Sequence, residues 1–583
     1  MKSFLKNILT TIIGIISSII VMILLIIGFV AIISSEDEVK VKENSILKID
    51  LANTSVVERS SENPFDGLSL SGDVASTIEL KKVLDNIEKA KNDNNIKAIY
   101  INNIDKLKAG LSQIEEIRNK LVEFKSCGKP IIAYSEVYSQ SGYYFSSVAD
   151  KIYLNPEGIV ELMGLSAGII FYKGLLEKLD IEVQIIRHGK FKSAVEPFML
   201  DKMSDANREQ MQLLLNSFAD NLFDSIASQR GMTLSDIHNH ANNLSLENAK
   251  SCLDLHYVDA LLYQDQVEDS LLVISKSEKL NFISLNKYSN VKVEKKEISR
   301  NKIAIIYATG EINSGEGDVK SIGSETTAKA IKTAREDKNV KAIVLRVNSP
   351  GGSALASDVI WRETVLAKEE KPLIVSMGDY AASGGYYIAC AADSIVANPT
   401  TLTGSIGVFG MIPNLQKLYK NKLGISIDTV NTNKHADMGM NRALTKFEED
   451  KIQKSVVDIY TTFITHVGEG RNMSTTAVDE IGQGRVWTGY DAKDIGLIDT
   501  YGGLEKAIEI SVHLAEIEDY RIISLPKKKD PFAELALKFG GETSISELVM
   551  LKLGLKTELT NPIENLLKRD KIQARIPFIM ELK

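Results

Sequence analysis

The 583-residue chain has little cysteine and little histidine. Its three cysteines, Cys127, Cys252 and Cys390, are far apart and form no CxxC pair. A disulfide framework and a structural zinc site are thereby excluded as organising devices. The seven histidines include no HExxH, so the sequence offers no zinc-hydrolase helix. No long basic stripe stands out, and 69 Lys+Arg against 77 Asp+Glu leave a charge of −8. That balance does not suit a nucleic-acid partner. What remains is an ordinary globular composition, 44% hydrophobic and 25% charged, long enough for two large domains.

The first distinct feature is an apolar run. No charge occurs from Asn7 to Ser35, and Ile8–Ile33 is almost wholly apolar. At about 1.5 Å per residue it would span roughly 39 Å as a helix, more than the ~30 Å hydrocarbon core. Cleaved signals have apolar regions of about 7–15 residues, so this run reads as a retained anchor. Lys2 and Lys6 precede it, and Glu36, Asp37 and Glu38 follow. Basic flanks stay cytoplasmic, which places the body outside the cytoplasmic membrane.

Beyond the anchor the chain repeats itself with a period near 243 residues. Asn95-Ile96-Lys97-Ala98-Ile99-Tyr100 answers Asn339-Val340-Lys341-Ala342-Ile343-Val344, and Lys129-Pro130 answers Lys371-Pro372. Gly142-Tyr143-Tyr144 answers Gly385-Tyr386-Tyr387. Short β-branched strands alternate with helical stretches, the pattern of βαβ crossovers and a mainly parallel sheet. The expected organisation is a stub and anchor (1–35), two α/β copies (36–300 and 301–525) and a tail (526–583). The charged run Lys292–Glu297 suits the junction. The tail carries an apolar stripe at helical spacing (Ile545, Leu548, Val549), which suits docking on the protein's own body.

The copies differ where chemistry would sit. Only the second has Asn348-Ser349-Pro350-Gly351-Gly352 after its strand and Ala382-Ser383-Gly384-Gly385 entering a helix. The first places Gln140 opposite Ser383. Glycine amides can approach an oxygen closely, so Gly384 with Gly351 or Gly352 could form an oxyanion hole beside a serine nucleophile. The serine needs a base. His435 with Asp437 is one candidate, and a neutral lysine is another. Near pH 7.4 an ordinary lysine is only ~0.1% neutral, and apolar burial raises that fraction. Lys192, in Phe191-Lys192-Ser193-Ala194-Val195, has apolar neighbours. Lys190 would share its face on a strand, so periodicity does not choose between them.

Arg346-Val347-Asn348-Ser349-Pro350-Gly351-Gly352, Asp379-Tyr380-Ala381-Ala382-Ser383-Gly384-Gly385 and Phe191-Lys192-Ser193-Ala194-Val195-Glu196-Pro197-Phe198 resemble the signal peptide peptidase A (protease IV) family, in its long tandem-domain bacterial form. Thr403-Gly404-Ser405-Ile406-Gly407 and Gly484-Arg485-Val486-Trp487-Thr488-Gly489 fit the same likeness, which runs from about residue 44 to 525. The resemblance implies two ClpP/crotonase-like domains, Ser383 as nucleophile, Lys192 as general base and Ser405 hydrogen-bonded near the lysine. It also implies a membrane-tethered homotetramer that degrades signal-peptide remnants. No metal or nucleotide cofactor is expected, since Gly482-Gln483-Gly484 lacks the strand-to-helix setting of a dinucleotide loop. A crotonase-like acyl-CoA enzyme and a non-catalytic scaffold are the competing readings.

Overall fold

A computed structural model describes residues 39–60, 76–102, 107–291, 299–528 and 572–576, with scattered positions between 10 and 21. The expected anchor Ile8–Ile33, the Lys292–Glu297 junction and the apolar stripe of the tail fall largely or wholly outside these. Among the described residues no helix is long and apolar enough to cross a membrane.

The repeat read in the sequence is a repeat in space. In the first copy the strands lie in the order Ala260–Leu261, Lys151–Val160, Ile131–Tyr138, Ile96–Asn102, Ser45–Ile49, Asn281–Ser284, all parallel. The second copy repeats that order with Thr500–Tyr501, Ser394–Ala397, Leu373–Ala382, Val340–Ser349, Lys302–Thr309 and Arg521–Leu525. The central strands are continuous apolar runs because helices cover both faces. Ile343, Val344 and Leu345 are all fully buried. The crossover helices show matching spacing. Leu80–Asn92 buries Leu80, Val83, Leu84, Ile87 and Ala90, and Ser324–Glu336 buries Thr327, Ala330, Ile331 and Ala334.

A third, six-stranded sheet joins the copies. Its order is Ser321–Gly323, Glu311–Asn313, Gly351–Ser353, Ile572–Arg575, Phe409–Asn414, Glu182–Arg187. The last strand belongs to the first copy and pairs antiparallel with Phe409–Asn414 over six residues. The strand Ile572–Arg575 comes from the tail. Polar bonds also cross the junction, including Val486 N to Gln210 Oε1 (2.8 Å) and Asn398 Nδ2 to Ser112 Oγ (2.7 Å). This joint is what brings the unlike halves of the repeat face to face.

Candidate active site

Lys192 reaches the site from a turn. The strand Glu182–Arg187 ends before Gly189, and the chain bends through Lys190 and Phe191 into a short helical turn at Ser193–Val195. The expectation that Lys190 and Lys192 could share a strand face is therefore corrected, because this segment is not a strand. Lys190 is exposed, its Nζ lying 5.0 Å from the Phe191 ring, while Lys192 is fully buried. The second copy seats the lysine. Phe191 N donates to Gln483 O (3.0 Å), and a methyl group on Gly484 would come within 2.7 Å of the Lys192 backbone. Arg485 lies over both Phe191 (5.0 Å) and Trp487 (4.4 Å), pinning the turn from outside.

Ser383 occupies the corner between the strand Leu373–Ala382 and the helix Gly384–Ala389. Its backbone has φ 55° and ψ −112°, an unfavourable conformation for a residue with a side chain. Bonds on both sides hold it there: Ser383 N donates to Gly404 O, and Tyr387 N donates to Ser383 O, each at 2.8 Å. The corner turns Oγ toward the first copy, 2.9 Å from Lys192 Nζ.

The amine has three polar neighbours: Ser383 Oγ at 2.9 Å, Ser405 Oγ at 3.1 Å and Ser405 O at 3.2 Å. Ser405 Oγ can give its own hydrogen to Gly484 O at 3.4 Å, leaving a lone pair for the lysine. A neutral amine has two hydrogens and one lone pair. It can donate to both Ser405 oxygens and accept from the Ser383 hydroxyl, which matches this arrangement atom for atom. Burial drives the Lys192 pKa well below its ordinary value, and the nearby Arg575 guanidinium adds to the shift.

Two glycine segments, Gly351-Gly352 and Gly384-Gly385, come together next to Ser383. Gly351 N is occupied by Ser349 Oγ at 3.2 Å, which leaves Gly352 as the glycine-turn donor. The position a Cβ would take on Gly384 lies 3.2 Å from both Gly352 N and the Ala574 carbonyl oxygen. Gly351 has φ +99°, and a side chain there would collide with that same oxygen. The geometry thus chooses Gly352 over Gly351 beside Gly384.

His435 is not part of this arrangement. Its Nδ1 lies 2.7 Å from Glu448 Oε1, while Asp437 pairs with Arg442 at 2.8 Å, which holds the Asp437 carboxyl down at about 2. Gln140, opposite Ser383 in the repeat, is a loop clasp: Oε1 accepts from Met163 N and Gly164 N, and Nε2 donates to Gly164 O. Sequence reasoning missed Arg575 and the Gly407 carbonyl, which lies 3.4 Å from Ser383 Oγ. Gly407 was in a quoted motif; Arg575 lay in a tail with no motif at all.

Residues 123–276 and 366–518 each match the sequence model of Peptidase family S49. The chain is 38% identical over 463 residues to Protease 4 of Salmonella typhi, covering 78% of this chain and 74% of that one. It is 35% identical over 516 residues to the chloroplastic serine protease SPPA of Arabidopsis thaliana, covering 87% and 75%. Against Protease 4 of Haemophilus influenzae the figure is 37% over 435 residues, covering 72% and 71%.

Proposed function

Because the chain belongs to peptidase family S49 and is a serine peptidase, we propose that it cuts extended apolar peptides, signal-peptide remnants among them, with a Ser383–Lys192 dyad. The observation that carries this reading is the buried 2.9 Å contact between groups that the two copies contribute separately. Ser383 Oγ attacks the peptide carbonyl while the neutral Lys192 amine takes its proton. The Gly384 and Gly352 amides hold the oxyanion, and the lysine then protonates the leaving amine. Water, activated by the same amine, releases the acyl group. Each α/β copy has a ClpP/crotonase-like architecture in this reading, and neither cuts alone. Membership of a peptidase family sets aside the acyl-CoA and scaffold readings.

A fluorophosphonate probe should label Ser383 in the purified protein and give no adduct in Ser383→Ala. Labelling at another serine, with Ser383→Ala still hydrolysing peptide, would reject the assignment.

The proposal extends to place and assembly. Ile8–Ile33, between Lys2/Lys6 and Glu36–Glu38, anchors the protein in a bacterial cytoplasmic membrane with its body outside. The homotetramer rests on the family resemblance alone. Protease added to spheroplasts should shave the body, and the detergent-solubilised protein should sediment as four chains. Protection equal to a cytoplasmic marker overturns the orientation, and a monomer at all concentrations overturns the tetramer.

A further inference from the structure

Lys192 is seated against a loop of the second copy whose backbone is left-handed at two successive residues, Gln483 (φ +52°) and Gly484 (φ +84°). Glycine adopts that conformation freely, but a glutamine must be held in it. The loop meets both groups that surround the amine. Gln483 O accepts from the amide of Phe191, the residue before the lysine, at 3.0 Å, and Gly484 O lies 3.4 Å from Ser405 Oγ. The packing leaves no slack. A Cβ on Gly189 would fall 2.4 Å from Gln483 O, and one on Gly407 would fall 3.3 Å from Lys192 Cδ. A shift of this loop is therefore a shift of the lysine.

Gln483 is held from the helix Lys446–Arg471. Its amide donates to Tyr460 Oη at 3.1 Å. The tyrosine is buried and gives its own hydrogen to Asp479 Oδ1, on the helix Thr475–Ile481. A hydroxyl whose hydrogen is committed in this way presents only lone pairs, so it fixes the amide in one direction. The sister copy supplies a comparison. Its helix Asp205–Arg230 is also 26 residues long, is capped by Ser204 as the other is by Thr445, and ends at left-handed Gly231 as the other ends at left-handed Asn472. That register puts Ala219 opposite Tyr460. The next helices, capped by Thr233 and Ser474, put His238 opposite Asp479. The hydroxyl and the carboxylate thus belong to the copy whose loop meets Lys192, and the other copy has neither. A pair needed only for the fold of the domain would be needed twice.

Resting on the Ser–Lys reading, we propose that Tyr460, oriented by Asp479, is a positioning residue for the general base and acts on Lys192 through the Gln483 peptide. It touches neither the substrate nor a reacting atom. The Gln483 peptide carries the constraint from one copy to the other, its N–H tied to the second and its carbonyl to the first. The charged and titratable groups along this path are Arg575 beside the amine, Arg485 over Phe191, His188 against the Tyr460 ring (4.4 Å) and Asp479 on its hydroxyl. Without the hydroxyl, Gln483 N loses its acceptor and the loop relaxes from its left-handed turn. Phe191 is then released, the amine moves away from Ser383 Oγ, and water reaches it. The proton affinity of the lysine rises toward that of a solvated one.

Steady-state kinetics of the full-length protein on an apolar peptide, followed across pH, test the role. Tyr460→Phe keeps the ring and should lower kcat by about 10- to 100-fold, the effect of a misplaced reacting group, with KM within about twofold of wild type. The acid limb of its kcat/KM profile should move to higher pH by at least about half a unit. Asp479→Asn keeps an acceptor for the hydroxyl and should stay within about threefold of wild type. Tyr288→Phe loses a like bond, to Asp93 (3.0 Å) in the first copy, and should leave kcat and the profile unchanged. In a Lys192→Met background Tyr460→Phe should cost nothing further, because it acts through the lysine. Tyr460→Phe with wild-type kcat, or a loss with an unmoved acid limb, overturns the inference and leaves the dyad standing. A further tenfold loss in the Lys192→Met background overturns it as well, while Lys192→Met with wild-type activity overturns the dyad itself. If Tyr460→Phe does not fold, Asp479→Ala, changed at a half-buried side chain, carries the same test: undiminished kcat with an unmoved limb overturns the positioning role.

Discussion

Lys192→Met should lower kcat by about 10²–10⁴-fold, the usual worth of a positioned general base. Lys192→Arg should do the same, because a guanidinium does not deprotonate and has no lone pair for the serine proton. The double change with Ser383→Ala should be little worse than either single one, since the pair acts as a unit. Lys190→Met and His435→Ala, exposed or engaged elsewhere, should stay within about tenfold of wild type, roughly 1.4 kcal/mol in barrier. Acidification should mimic the lysine changes. The folded pKa is depressed, so the amine is neutral above that value and activity falls as pH drops through it. A kcat/KM profile that is flat from pH 9 to 5, or full activity in Lys192→Arg, would remove lysine from the mechanism. The same shift has a stability consequence of fixed sign. Between the folded pKa and the unfolded value near 10.4 the unfolded chain binds one more proton than the folded one, so stability rises with pH across that window. Lys192→Met removes this cost. It should therefore leave the melting temperature unchanged or raised while activity collapses, as expected of a residue held for function at the expense of stability.

The duplication was legible because each copy repeats buried β-branched runs between amphipathic helices, and those patterns follow from what a sheet covered on both faces must bury. Ser383 was legible because a serine followed by two glycines at the head of a helix differed from the Gln140 of the sister copy. The choice between Lys190 and Lys192 was not. It depends on a turn at Gly189 and on Gln483 and Gly484, which lie almost three hundred residues away. His435 with Asp437 looked like half a triad only because a nearby pair in sequence says nothing of Arg442 and Glu448, which claim both side chains. Ile572–Arg575 was the least visible. Its apolar–polar alternation, Ile-Gln-Ala-Arg, is only four residues long and stands in a tail with no neighbouring strand among the described residues; its partners are two strands more than a hundred residues away.

Arg346→Met should destabilise the protein by about 3–5 kcal/mol, the usual effect of removing one partner from a buried ion pair. Arg346 was quoted above only as part of a motif, yet it is fully buried on the strand Val340–Ser349. Its guanidinium has five hydrogens and makes five contacts with four residues. Nε and Nη2 form a fork on Glu58 (2.8 and 2.9 Å), Nη2 also meets Glu116 (2.8 Å), and Nη1 donates to Ser376 Oγ and Met377 O. Both carboxylates belong to the first copy and the arginine to the second, so the cluster is a bolt through the joint. Removing it leaves two acids buried side by side without a counter-ion. Lysine has three donors and no fork, and should recover only part of the loss. The strand continues from Arg346 into Ser349 and the glycine turn, so activity should fall as well, through misplaced amides and with the Lys192 protonation profile unmoved. Urea unfolding followed in wild type, Arg346→Met and Arg346→Lys measures the first effect. A loss under about 1 kcal/mol in Arg346→Met would mean that the copies are held by their apolar contacts and that the bolt is dispensable.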